Sequence, residues 1–148
     1  MPSPSPSMYD SSGVAISNSN KINFTEEVYA GSISDIIEVN LWNDKGGSNN
    51  SDTIVAPKLL AYSSPDDASV IFNGTVANGN QSMLEARSCG ATNTIADADS
   101  EWTPISQTEF LQIGDIPSNA ARTIEFRMNV PFDSPDISLK NFSLKLIY

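Results

Sequence analysis

Apolar and polar residues alternate singly along four stretches of this chain. Ile22 and Phe24 alternate with Asn23 and Thr25, and Ile37, Val39 and Leu41 with Glu38, Asn40 and Trp42. Ile124, Phe126, Met128 and Val130 alternate with Thr123, Glu125, Arg127 and Asn129, and Phe142, Leu144 and Leu146 with Ser143, Lys145 and Ile147. Successive side chains of a strand point to opposite faces, so each stretch sets one face on a core and the other in water, as antiparallel sheets do. Less regular apolar runs at 53–63, 69–76, 82–88, 102–106 and 109–113 read as further strands. Only 81–88 competes as a helix, and it is too short to hold as one.

The punctuation between these runs agrees. Asn43-Asp44-Lys45-Gly46-Gly47 reads as a turn, and Asn73-Gly74 and Asn78-Gly79 suit positive φ. Ser64-Pro65-Asp66-Asp67 and the stretch from Pro131 to Pro135 read as loops. Short strands separated by turn signals predict an all-β chain, an antiparallel β-sandwich that is immunoglobulin-like or jelly-roll-like. The 148 residues suit one domain. A domain of that size buries roughly 70% of its unfolded surface, enough for one core without disulfides or metals.

Residues 1–20 read differently. Pro2, Pro4 and Pro6 alternate with serines, and a Ser/Asn-rich run follows to Asn20. Such a segment favours an extended, solvated chain. The expected organisation is therefore a flexible N-terminal arm, 1–20, and one sandwich domain, 21–148. The arm is either a floppy terminus or a segment that orders on a neighbour, in which case Pro2, Pro4, Pro6 and Tyr9 are its contact residues. The last strand, 139–148, is expected to be packed in the domain or at a subunit interface.

A net charge of -10 repels phosphate backbones and argues against a nucleic-acid partner. The single cysteine, Cys89, allows no internal disulfide and reads as a small buried or loop residue rather than a reactive thiol. Met1 to Tyr9 lacks the basic start and apolar run of a signal peptide, and no stretch approaches the ~20 apolar residues of a membrane helix. Secretion is thus not expected, and the Asn-x-Ser/Thr triplets at Asn23, Asn49, Asn73, Asn80 and Asn141 read as coincidences of composition.

Histidine is absent, which removes Ser-His-Asp and Cys-His nucleophile schemes and the commonest zinc ligand. No Gly-rich phosphate loop is present. Asp97, Asp99 and Glu101 alternate as calcium ligands can, but the glycine and distant glutamate of an EF-hand are missing, so a solvated acidic loop is preferred to a cation site. Trp42 and Trp102 are either core or core-edge packing or sugar-stacking platforms, with packing preferred. No spacing selects a carboxylate pair for glycoside hydrolysis. The expectation is a chain with no enzymatic activity, no cofactor and no metal.

Two segments carry a resemblance. Ile36 to Gly47 (Ile-Ile-Glu-Val-Asn-Leu-Trp-Asn-Asp-Lys-Gly-Gly) and Ile116 to Pro131, where Pro117-Ser118-Asn119 opens a long alternating strand, resemble strand-and-turn segments of bacterial immunoglobulin-like adhesion modules. As a whole, the chain resembles small virion structural proteins of tailed bacteriophages, above all capsid decoration or cement proteins. That resemblance implies a homotrimer, made in the host cytoplasm, that binds the major capsid protein or another virion protein and reinforces the shell. A tail, baseplate or head-fibre component and a carbohydrate-binding sandwich are the alternatives.

Overall fold

A computed structural model describes residues 3–17, 22–24, 27–47, 51–63, 76–89, 101–134 and 140–148. Among these residues nine strands form two antiparallel sheets: β1 (Pro6–Asp10), β2 (Ile22–Phe24), β3 (Ile37–Asn43), β4 (Lys58–Ser63), β5 (Leu84–Cys89), β6 (Thr103–Pro104), β7 (Leu111–Gln112), β8 (Ala120–Met128) and β9 (Lys140–Ile147). Sheet I has the order β1-β3-β8-β5-β6 and sheet II the order β2-β9-β4-β7.

The pairing has a simple logic. β2 pairs with β9, β3 with β8, β4 with β7 and β5 with β6, all antiparallel. The halves β2–β5 and β6–β9 thus run back along each other as one long hairpin. Rolling that hairpin over brings β9 beside β4 and β8 beside β5. This is the strand order of a jelly roll. An immunoglobulin-like sandwich divides its strands differently, so of the two orders compatible with the sequence pattern the chain adopts the jelly roll.

The alternation expected of the long strands is observed. Val39 and Leu41 of β3, Ile124, Phe126 and Met128 of β8, and Phe142 of β9 are buried in one core with Leu59, Ala61, Leu84 and Ala86. Leu144 and Leu146 pack against that core while Ser143, Lys145 and Ile147 face solvent. The sheets meet through aromatic contacts: Phe126 of sheet I lies 5.3 Å from Phe142 of sheet II, which stacks on Phe24 at 5.9 Å. The turn signals on described residues hold as well, with positive φ at Asp44, Gly46, Gly79 and Asn119, while Ser64-Pro65-Asp66-Asp67 and Asn73-Gly74 lie outside the described residues. The run 69–76 lies outside the described residues except for Val76, which opens a 3-10 turn ending at Asn78.

The N-terminal stretch departs from the flexible arm expected for residues 1–20. Pro6–Asp10 extends sheet I by pairing with β3 from Pro6↔Asn43 to Asp10↔Val39. The chain then reverses. Asp10 Oδ1 accepts from the N–H groups of Ser12 and Val14 at 2.9 Å, Gly13 takes φ 82°, and Ile16 N donates to Met8 O. This aspartate-led turn places Met8 and Ile16 against the core edge. The prolines are compatible with such a strand because it lies at the sheet's edge, where a missing N–H breaks no interior ladder.

Asn43 fastens the segment. Its side chain accepts from Ser5 N at 3.0 Å and from Ser51 Oγ at 3.4 Å, and donates to Asp52 O and Ile116 O at 2.9 Å each. The expected turn residue is thus a fully buried bracket joining the N-terminus, the β3–β4 connection and the approach to β8.

Candidate interaction surface

Of the residues expected to contact a partner, Pro2 lies outside the described residues. Pro4 and Pro6 lead into β1, and Tyr9 faces outward from it beside Asn40. Lys45 Nζ sits 4.4 Å from the Tyr9 ring and 5.5 Å from the Trp42 ring, fixing all three on the outer face of sheet I. The segment's ladder is made within its own chain, and its half-buried side chains offer a partner little apolar area.

Farther along that face, Arg87 and Glu125 are directly opposed on β5 and β8, as are Glu85 and Arg127. Arg87 Nε donates to Glu125 Oε1 at 2.7 Å, and Arg127 Nε to Glu85 Oε1 at 2.8 Å. The Trp102 ring lies 4.7 Å from the Arg87 guanidinium and 4.2 Å from that of Arg127. Neither tryptophan belongs to the core: both are half-buried on the outer face, and Trp102 clamps two cross-strand ion pairs. Each partly desolvated cation–π contact is worth about 0.5–2 kcal/mol, so Trp102→Ala is expected to lower unfolding free energy by about 1–3 kcal/mol. Urea denaturation checks this. An unchanged midpoint would mean that the ring merely rests on the guanidinium groups.

The remaining candidates are placed simply. Asp97 and Asp99 lie outside the described residues, and Glu101 is exposed. Among the described residues no group of three or more His, Cys, Asp or Glu side chains is arranged to hold a metal. Cys89 is buried, its thiol directed at Thr123 O at 3.7 Å. Burial lowers the pKa of Arg122 from its ordinary value, while its Nε and Nη2 donate to Asp115 O.

A surface not anticipated from sequence lies at the end of the sandwich where β2 passes to β3 and β8 ends. Residues 27–36 are zipped to the end of β8. Gly31 N donates to Val130 O, Val130 N to Ser32 O, Ser34 N to Met128 O, and Met128 N to Ser34 Oγ. Val28 is buried as the anchor of this connection. The ladder turns the neighbouring side chains outward: Tyr29 is 61% exposed, Ile33 55% and Ile36 48%. Phe132, 80% exposed, stands beside Gly31, and Val76, 84% exposed, is brought near by Ala77 N donating to Asp133 Oδ2.

Five of the ten large apolar side chains exposed among the described residues therefore sit on three adjoining loops, and such clustering marks an interaction site. Beside them, between the end of β2 and the 27–37 connection, opens a cleft of about 340 Å3. Its lining combines Phe24, Tyr29, Ile33 and Ile36 with the carboxylates of Glu27 and Asp35, and among the described residues it contains no lysine or arginine. The signal for this surface is weak in the sequence, where Tyr29, Ile33 and Ile36 keep neither a two- nor a 3.6-residue period.

Comparison with family models, with curated proteins and with solved structures returns no match for this chain.

Proposed function

We propose that this chain is a non-enzymatic virion structural protein of the capsid decoration type, binding the major capsid protein at the surface of the shell. The observation that carries the reading is the apolar end formed by Tyr29, Ile33, Ile36, Val76 and Phe132 on an otherwise acidic domain. Leaving such side chains in water is unfavourable by roughly 25 cal/mol per Å2, so a partner that covers them gains affinity directly. The jelly-roll order adds support by analogy, since viral shell proteins use it, as do lectins and cupins. The remaining edges suit a protein packed at high density. β2, β6 and β7 have three, two and two residues, too short to template sheet-to-sheet aggregation.

The mechanism is additive. Each copy bridges neighbouring capsid subunits, and many modest interfaces together oppose the pressure of the packaged genome. A homotrimer would present three apolar ends at once, raising the effective concentration of the second and third contacts after the first.

Quantitative mass spectrometry of purified particles, counting this chain against the major capsid protein, tests the reading. The expected result is one copy or one trimer per capsomer junction. A few copies per particle would move the chain to the tail, baseplate or head fibres. Absence from particles would sink the virion reading.

A further inference from the structure

Charge is divided unequally between the two sheets. The chain carries 18 acidic residues, yet none falls in β2, β4, β7 or β9, the four strands of sheet II. β4 and β9 carry lysines instead. Register fixes where two of them point: Lys58 pairs with Ile147 and Leu60 with Lys145, while Leu59 and Ala61 face the core. Lys58 and Lys145 therefore share the outer face of sheet II, and both are exposed. Lys58 Nζ lies 4.7 Å from the Phe110 ring and Lys145 Nζ 6.0 Å from the Tyr62 ring. Phe110 is 43% exposed and Ile147 46%, so the face is apolar as well as basic.

The cleft at the Tyr29 end is its complement: two carboxylates, Glu27 and Asp35, set among Tyr29, Ile33 and Ile36 with no cation among the described lining residues. Among the described residues none of Glu27, Asp35, Lys58 and Lys145 makes an ion pair. Among the described residues, two carboxylates beside apolar groups face no countercharge on one surface, and two lysines beside apolar groups face none on another.

We propose that the acid-rimmed cleft of one copy receives the Lys58/Lys145 face of a second copy. The two patches are different, so the contact is heterologous, and repetition closes a ring or extends a filament. Lysine suits the cleft because its four-carbon stem covers apolar surface while the ammonium reaches a carboxylate. The contact covers the Tyr29 cleft that shell binding would also cover, so in any one copy the two are alternatives; failure to find the chain in particles leaves self-association standing, and its failure leaves shell binding possible.

The test is sedimentation velocity of the full chain at several concentrations, comparing the native protein with Asp35→Lys, Lys145→Glu and the double variant. Self-association weakened by added salt is expected, since about 0.5 M salt shortens the screening length to roughly half its physiological value. Each single reversal should raise the dissociation constant about tenfold or more, because an attraction becomes a like-charge clash. The double variant, with the charges exchanged, should return to within about threefold of the native value. All substituted side chains are exposed, and circular dichroism verifies folding; if Lys145→Glu does not fold, Lys58→Glu replaces it. A chain that stays monomeric at about 100 µM, where even a weak contact of about 5 kcal/mol would show, overturns the proposal. So does an oligomer indifferent to both reversals, or a double variant no better than the singles.

Discussion

Asn43→Leu should lower the free energy of unfolding by about 3–5 kcal/mol, a large share of the roughly 5–15 kcal/mol that holds a domain together. Leucine keeps the branched outline of asparagine, but its methyls are bulkier than the amide, so some overpacking adds to the loss of hydrogen bonds. The asparagine is wholly buried, and its amide serves two carbonyls, of Asp52 and Ile116, while its oxygen serves Ser5 N and Ser51 Oγ. Leucine can serve none of them, and a buried polar group left without a partner costs about 1–3 kcal/mol. Urea unfolding should show a lower midpoint with an unchanged slope.

Asn43→Asp separates shape from hydrogen bonding. It keeps the acceptor for Ser5 N but turns an oxygen toward the two carbonyls. An ionised carboxylate is repelled there, so the folded state raises the introduced group's pKa above that of the unfolded chain. The penalty is then largest above the folded-state pKa and shrinks as pH falls toward the unfolded value, because the protonated carboxyl can donate to one carbonyl. A variant whose deficit against the native chain does not narrow in acid would show that the amide hydrogens are not what holds Asp52 and Ile116 together.

That bracket also shows where sequence reading stops. Asn43-Asp44-Lys45-Gly46 carries a turn signal, and the turn is there, with Asp44 and Gly46 at positive φ. Nothing local reveals that the first residue points inward to Ile116, 73 positions away. β3, β8 and β9 were legible because each is long enough for alternation to repeat. β6 and β7, two residues each, repeat nothing, and only their neighbours' edges define them. β1 was obscured by its own composition. The prolines and serines spell a solvated arm, although Met8 and Ile16 stand on either side of an Asp10-Ser11-Ser12-Gly13 turn that reads as a hairpin once composition is set aside. Strand order lay beyond reach for another reason. Its defining pairs, such as Ile22↔Phe142, join opposite ends of the chain, and alternation records only which face is buried. The apolar end was hidden likewise, since Phe132 comes beside Gly31, and the Val76 turn beside Asp133, only after β8 has been laid beside β3 and β5.

A jelly roll of this order depends on its two sheets staying clasped, because each half of the long hairpin contributes strands to both. The clasp at the centre is Phe126. It is fully buried on β8, flanked in register by Ile37 on β3 and Ala86 on β5. Alanine on one side leaves room for the ring to reach across to Phe142, and through it to Phe24. Phe126→Ala should therefore cost about 3–5 kcal/mol, the sum of lost burial and of a cavity that paired strands on both sides cannot close. For a domain of this size, such a loss corresponds to a fall of roughly 10 °C in Tm. Phe142→Ala in the same background should cost less than it does alone, with a coupling of about 0.5–1.5 kcal/mol, because the partner ring is already gone. Strictly additive losses would mean that the two rings each fill the core without bearing on one another, and the sheets would then be held by their aliphatic contacts alone.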